Sequence, residues 1–543
     1  MRAGRSRSGW SSRLSLALVA SVGSVWMASC GSDARPPPLS GPAIDASAPL
    51  APLTLYLPTS TPVPDPVTCE EAKTAHSYVG CDYWPTVLAN AVWSYFNYAV
   101  VIANPGTSSV TVTVSGPNAV HQERTVGPGT IEKVILPWVQ NLKGPEGGAL
   151  SLAGSVLERG GAYHIVSSAP VVAYQFNALE YKRTYSGPAD SYDRNACPGA
   201  PANLDCFSYS NDASLLLPST AWTGSYRVGA LPAGKTPGNI LSANLTVTAA
   251  SDGTTVSVAL SGSGKVLAGG GIPATAGGGT LVQLLNAGDV MELVSESYGP
   301  DFSGSLVTAD KPVEVFTSDP CIDVPDNVRA CDHIEESVIP AESLGKDYIV
   351  TTPVGPYGVP GLHVVRLVGN RDGTTLKYAP RKPTGCPDTL QAGEVADCGV
   401  VGDSFVVQGT EEFGISSFGV GAYSYQHMNF DFRGDPDQTV FASALQFRTH
   451  YLFLAPDDYE ENYAVVAGIS SANPVIDGKP LTNYEELEGG YGVWRSRLGA
   501  GGSHTLTSSE PVGLQVMGYG SFTSYTYPGG LSLARIAPPP VVR

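Results

Sequence analysis

Apolar and polar positions alternate along this chain in short bursts of period two, and no long amphipathic stretch at helical spacing appears. Val, Thr and Tyr fill the bursts, and these residues suit a pleated, half-buried strand. Gly, Pro, Asn and Asp punctuate them. The pattern predicts an all-β chain of short strands and tight turns.

Three patterns recur. One is a strand, a turn and a second strand, beginning at Tyr98, Leu245, Val364 and Val465, with Asp-Gly at 252–253, 372–373 and 477–478. Asp-Gly between alternating runs predicts a hairpin, because Gly accepts positive φ. The second is a Gly-bearing turn at Gly129, Gly288, Gly393 and Gly501. The third closes each unit with a strand: Pro170-Val-Val, Pro312-Val-Glu, Phe413-Gly-Ile and Pro511-Val-Gly. Pro at a strand's first residue costs no ladder bond. Residues 157–171 and 498–512 match at seven of fifteen positions. The third unit diverges most.

These repeats predict tandem β-sandwich-like modules, about four pseudo-repeats, at 68–180, 181–320, 321–430 and 431–527. The second carries a Cys- and Tyr-rich insertion at its start, and 528–543 is a tail. The alternative is one pseudo-symmetric, propeller-like assembly whose units share strands.

The first residues differ in kind. Arg2, Arg5, Arg7 and Arg13 precede an apolar run, and Met27-Ala28-Ser29-Cys30 follows. This is the layout of a secretory signal, 1–29, too short to span a membrane. Cys30 after small residues is similar to a bacterial lipobox, which implies cleavage before Cys30 and lipidation of its thiol. Met27 stands where Leu is usual. Residues 31–67 hold ten Pro and read as a semi-rigid tether. The expected location is the bacterial cell envelope, as an outer-membrane lipoprotein facing outward or the periplasm.

Charge narrows the partners. Without residues 1–29 the chain has 27 bases against 49 acids, a net charge of −22. That argues against nucleic acid, which needs basic patches. Eight cysteines remain besides Cys30, in close pairs: Cys69 and Cys81, Cys197 and Cys206, Cys321 and Cys331, Cys386 and Cys398. Connectivity is not fixed by sequence, but local disulfides are the simplest reading. The spacing suits no metal site.

No catalytic motif, cofactor loop or metal constellation is present. His333 lacks a second His and is read as ordering a loop. Glu335 and Glu336 are adjacent and would face opposite ways on a strand. The acidic run Asp457-Asp458-Tyr459-Glu460-Glu461 is read as a solvated loop, with calcium as the alternative. Tyr181, Tyr185, Tyr192 and Tyr209, in or beside the insertion, suit either edge packing or a binding loop.

Two stretches, 210–228 and 331–350, resemble the N-terminal domain of IgGFc-binding proteins, myxobacterial secreted members included. Cys331-Asp332-His333-Ile334-Glu335-Glu336 is the most specific element, and Tyr174-Gln-Phe-Asn177 also fits. The resemblance implies an extracellular protein-binding fold; Fc binding itself is not carried over. The expectation is a surface lipoprotein, not an enzyme and without cofactor, that binds an extracellular protein or glycan. The alternatives are a structural envelope or matrix component and, less favoured, an envelope hydrolase. Residues 331–350 are expected to form a disulfide-pinned junction between the second and third units.

Overall fold

The computed structural model describes residues 65–541, apart from 148–150, 185–204, 237–238, 296–297, 327, 426–431 and 500. Cys30, Tyr185, Tyr192 and Cys197 lie outside the described residues. The fold is all-β, and four modules each use three named strands. The first has β1 (Gly80–Tyr83), a long closing strand β2 (His164–Asn177) and a short β3 (Asp212–Leu215). The second has β4 (Thr223–Arg227), β5 (Leu306–Ile322) and β6 (Asp332–Ser337). The third has β7 (Asp347–Val350), β8 (Phe413–Gly419) and β9 (Gln438–Val440). The fourth has β10 (Arg448–Ala455), β11 (Gly502–Gly520) and β12 (Thr523–Pro528).

The long closing strands organise each module. In the first, residues 164–167 of β2 pair with the strand at 110–116, and 172–177 pair with the strand at 98–103. One strand therefore serves two leaves. The strands flanking the Asp-Gly turns at 252–253 and 372–373 are not bonded to each other; each pairs elsewhere, with the leaves on either side. The expected hairpins are therefore corner connections there. Gly253 and Gly373 do take positive φ, 63° and 70°. Both geometries bury the same alternate residues, so the pattern did not separate them. At Asp477-Gly478 a true hairpin forms, with Val475 opposite Pro480.

The closing-strand prolines mark a bulge. Gly80 pairs with Val171 but Asp82 with Val166, and the same break separates Thr223/Ser225 and Arg448/His450 on their partners. Pro170, Pro312 and Pro511 sit in these bulges, where a missing N–H leaves no orphan donor. A tyrosine hydroxyl plugs each one. Tyr83 Oη accepts from Gly80 N (2.8 Å) and donates to Val171 O (2.6 Å). Tyr226 and Tyr451 repeat this with Thr223 and Val313, and with Arg448 and Val512. Tyr348 repeats it in the third module, with Gly345 and Phe413. There no Pro precedes Phe413. The closing stretch is broken between 405–409 and β8, and the module splits into two four-stranded sheets.

The short strands β3, β6, β9 and β12 lie at the centre, each beside at least two of the others. Strands cross the expected segment limits: β3 bonds to β2, β6 bonds to β5, and residues 156–158 join the second module's sheet. The chain also closes on itself. Tyr78 N donates to Leu531 O (3.2 Å) and Leu533 N to His76 O (2.7 Å). Gly530, at φ 149°, permits this, since a Cβ there would lie 2.4 Å from the Tyr78 ring. One apolar cluster spans the closure, from Val101 and Tyr174 to Leu514 and Tyr527.

Candidate functional site

At the centre, four strand ends meet without forming a ladder with one another. Their backbone N–H groups need acceptors. Asp212, on β3, provides one to every other module. Its Oδ2 accepts from Glu335 N (3.0 Å) and Gln438 N (2.9 Å), and its Oδ1 accepts from Thr526 N (3.3 Å) and Ala213 N (2.9 Å). Asp332 accepts from Asn211 N (2.6 Å), His333 N (2.7 Å) and Thr523 Oγ1 (3.0 Å). Asp435 and Asp437 are buried beside them. Burial raises all four carboxyls: Asp212, Asp332 and Asp435 go well above the usual range, and Asp437 reaches about 6. The like charge of Asp437 adds to the shift at Asp212.

The remaining motif residues serve the same hub. Glu335 accepts from Ser214 Oγ (2.8 Å), Gln175 Nε2 (3.4 Å) and Asn177 Nδ2. His333 is not on a loop. It lies on β6, fully buried, with Nε2 3.2 Å from Glu335 Oε2. Glu336, one residue on, accepts from Ser337 N (2.9 Å), and burial raises its carboxyl. Both glutamates are buried because β6 is covered on both faces.

Sequence reasoning missed most of this acid set: Asp212, Glu292, Glu314, Asp319, Asp435 and Asp437. Glu292 accepts from Ala89 N, Glu314 from Leu217 N and Asp319 from Cys321 N. Burial lifts Glu292 to about 8 and Asp319 to about 7. The available signal was lone acids inside apolar strand runs, as in Asp212-Ala-Ser-Leu-Leu-Leu217. Asp212, Asp332, Glu292, Glu314 and Asp319 take backbone N–H groups that no strand ladder satisfies, whereas Glu335 takes side-chain donors. Among the described residues, no three His, Cys, Asp or Glu side chains are grouped to hold a metal ion.

The acidic run is not simply a solvated loop. Asp457 pairs with Lys133 (2.5 Å), Asp458 accepts from Tyr181 N (2.8 Å), and Arg433 pairs with Glu461 (2.9 Å). Tyr181 is buried and donates to Glu460, so it packs and does not present a surface. Tyr209 stacks on Phe207 with centroids 5.5 Å apart. Three disulfides are local, Cys69–Cys81, Cys321–Cys331 and Cys386–Cys398, and Cys206 is also disulfide-bonded.

Two open clefts flank the third module. One, of about 500 Å³ against the fourth module, is polar, with Arg495, Arg497, Asn483 and Asp403 on its walls. Arg495 is held by Glu485, Thr352 and Ser404. The other, of about 430 Å³, lies between the second and third modules. Its walls are apolar, from Leu231, Ile322, Val324, Val364 and Val400. The Cys321–Cys331 loop forms one side, docked on the third module through Gly421 N to Val324 O (2.8 Å). Asp323, Asp326 and Asp397 stand among the apolar groups.

Residues 212–518, more than half of the chain, match the model of a family described as IgGFc binding protein. No curated protein and no solved structure matches.

Proposed function

Because the chain belongs to the IgGFc-binding protein family, we propose that it is a lipid-anchored surface protein that captures an extracellular protein and performs no catalysis. The observation that carries this reading is the division of labour among its acids. The central ones are consumed by backbone N–H groups, whereas the cleft beside the Cys321–Cys331 loop stays open at a size suited to a ligand. Lipidation of Cys30 and the Pro-rich tether would hold the modules off the envelope of a bacterial cell.

The polar cleft supports a second reading, a glycan ligand, because Asn483, Arg497 and Asp403 offer donors and acceptors at one opening. The test is capture from envelope, matrix-polysaccharide and prey extracts, using the chain with its disulfides formed. A saturable protein partner, lost on reduction, is the expected outcome. A polysaccharide partner would favour the polar cleft. Clean negatives with a folded chain would move the reading to a structural envelope component.

A further inference from the structure

We infer that the apolar cleft between the second and third modules takes a basic side chain of a partner polypeptide, a Lys or Arg flanked by aliphatic residues. This rests on the reading of the chain as a protein-binding module.

The first argument is shape and polarity together. The walls belong to one apolar cluster that includes Phe418, so an aliphatic neighbour or a lysine stem would bury surface there. The carboxylates of Asp323, Asp326 and Asp397 line the same cleft and would meet the cationic head.

The second argument is charge. The nearest buried cation is already engaged. Arg366 binds Asp301 (2.8 Å) and the Ala230 carbonyl, and its Nε stands 3.7 Å from Asp397. Arg329 acts on Asp323 but is opposed by Asp326, and the buried Asp435 lies behind. Among the described residues, Arg366 faces Asp301 and Asp397, and Arg329 faces Asp323. Tyr298 donates to Asp326 (2.7 Å) without supplying charge. Among the described residues no N–H donates to Asp323, unlike the central acids.

The third argument is position. The Cys321–Cys331 disulfide holds one wall of the cleft, so the carboxylates at 323 and 326 are placed before a ligand arrives.

Burial and the neighbouring Asp326 push the Asp323 carboxyl up to about 6. A bound cation favours the ionised form, so capture should weaken on acidification from about pH 7.5 to about pH 5.

The probe is a fluorescent Leu-Lys-Leu-Arg-Leu amide, with Leu-Glu-Leu-Glu-Leu amide as its counterpart, read by anisotropy on the full chain at physiological salt. The basic peptide should bind saturably and the acidic one should not. Asp323→Asn with Asp326→Asn should weaken binding about tenfold or more. Asp326→Lys, at an exposed position, should do the same if the double variant melts early. Glu123→Gln with Glu510→Gln, on exposed residues outside the cleft, should change nothing. Equal binding by all variants, or no saturable binding, overturns the inference. Capture of a partner from extracts that the cleft variants leave intact would overturn the inference and keep the family reading. Peptide binding without any captured protein would do the reverse.

Discussion

The central hub and the apolar cleft are both rich in aspartate, and both involve β6 or the loop that leads into it. They differ in donors. Asp212 and Asp332 each accept several hydrogen bonds, most of them from backbone N–H groups. Asp323 and Asp326 face a cleft of about 430 Å³ with few opposing charges. A buried acid that replaces a ladder bond holds the fold together. An acid at an open apolar wall is available to something else. The residue type is the same, and the local supply of N–H groups separates the two roles.

The largest effect should come from the hub. Asp212→Ala orphans N–H groups on the three other central strands and should cost more than about 4 kcal/mol, at about 1–3 kcal/mol per lost partner. Denaturant melts would read it. A variant that melts like the parent would remove the distinction between hub and cleft.

Next comes pH. Burial raises Asp437 to about 6, Asp319 to about 7 and Glu292 to about 8. The folded state keeps these protons while the unfolded chain releases them near pH 4. Their contribution to stability is therefore fully present at low pH and falls as pH rises through this window. Thermal melts should show Tm dropping by several degrees from about pH 5 to about pH 8. A flat or rising profile would mean that the hub acids are ionised in the folded protein.

Cys331→Ser removes the bridge that pins the cleft wall to the hub strand. The loop-entropy model gives about 3 kcal/mol for so short a loop. Unchanged melting under reducing conditions would show that the junction stands without it. Tyr451→Phe should cost about 1–2 kcal/mol, because the Val512 carbonyl and the Arg448 N–H lose their partner. The smallest effect sharpens the comparison most: Asp326→Asn, exposed at the cleft, should alter stability by less than about 0.5 kcal/mol while weakening the basic peptide.

Much of this organisation is legible in the chain. Period-two alternation with Val, Thr and Tyr gives strands, because that spacing buries one face of a pleat. The recurring Pro-Val closing strands mark the modules, and the divergence of the third unit is a broken closing strand lacking Pro before Phe413. The close cysteine pairs at 69/81, 321/331 and 386/398 are local bridges. The motif from Cys331 to Glu336 is distinctive in sequence, and its residues prove to be buried hub contacts.

The alternation also left a choice that the sequence by itself did not make. A hairpin and a corner connection bury the same alternate residues, so only the pairing of each flanking strand with a closing strand decided between them. The tyrosine plugs were equally hidden, because Tyr83, Tyr226 and Tyr451 acquire their role from bulges, and Tyr348 from a strand break, 61 to 88 residues away. So were Asp212 and its neighbours, since a lone acid in an apolar run becomes a hub only when strands from other modules bring N–H groups to it. Local pattern fixes which residues are buried together on one face. Which donors meet which acceptors across hundreds of residues depends on the tertiary meeting of the modules, because a hydrogen bond requires two groups within about 3 Å.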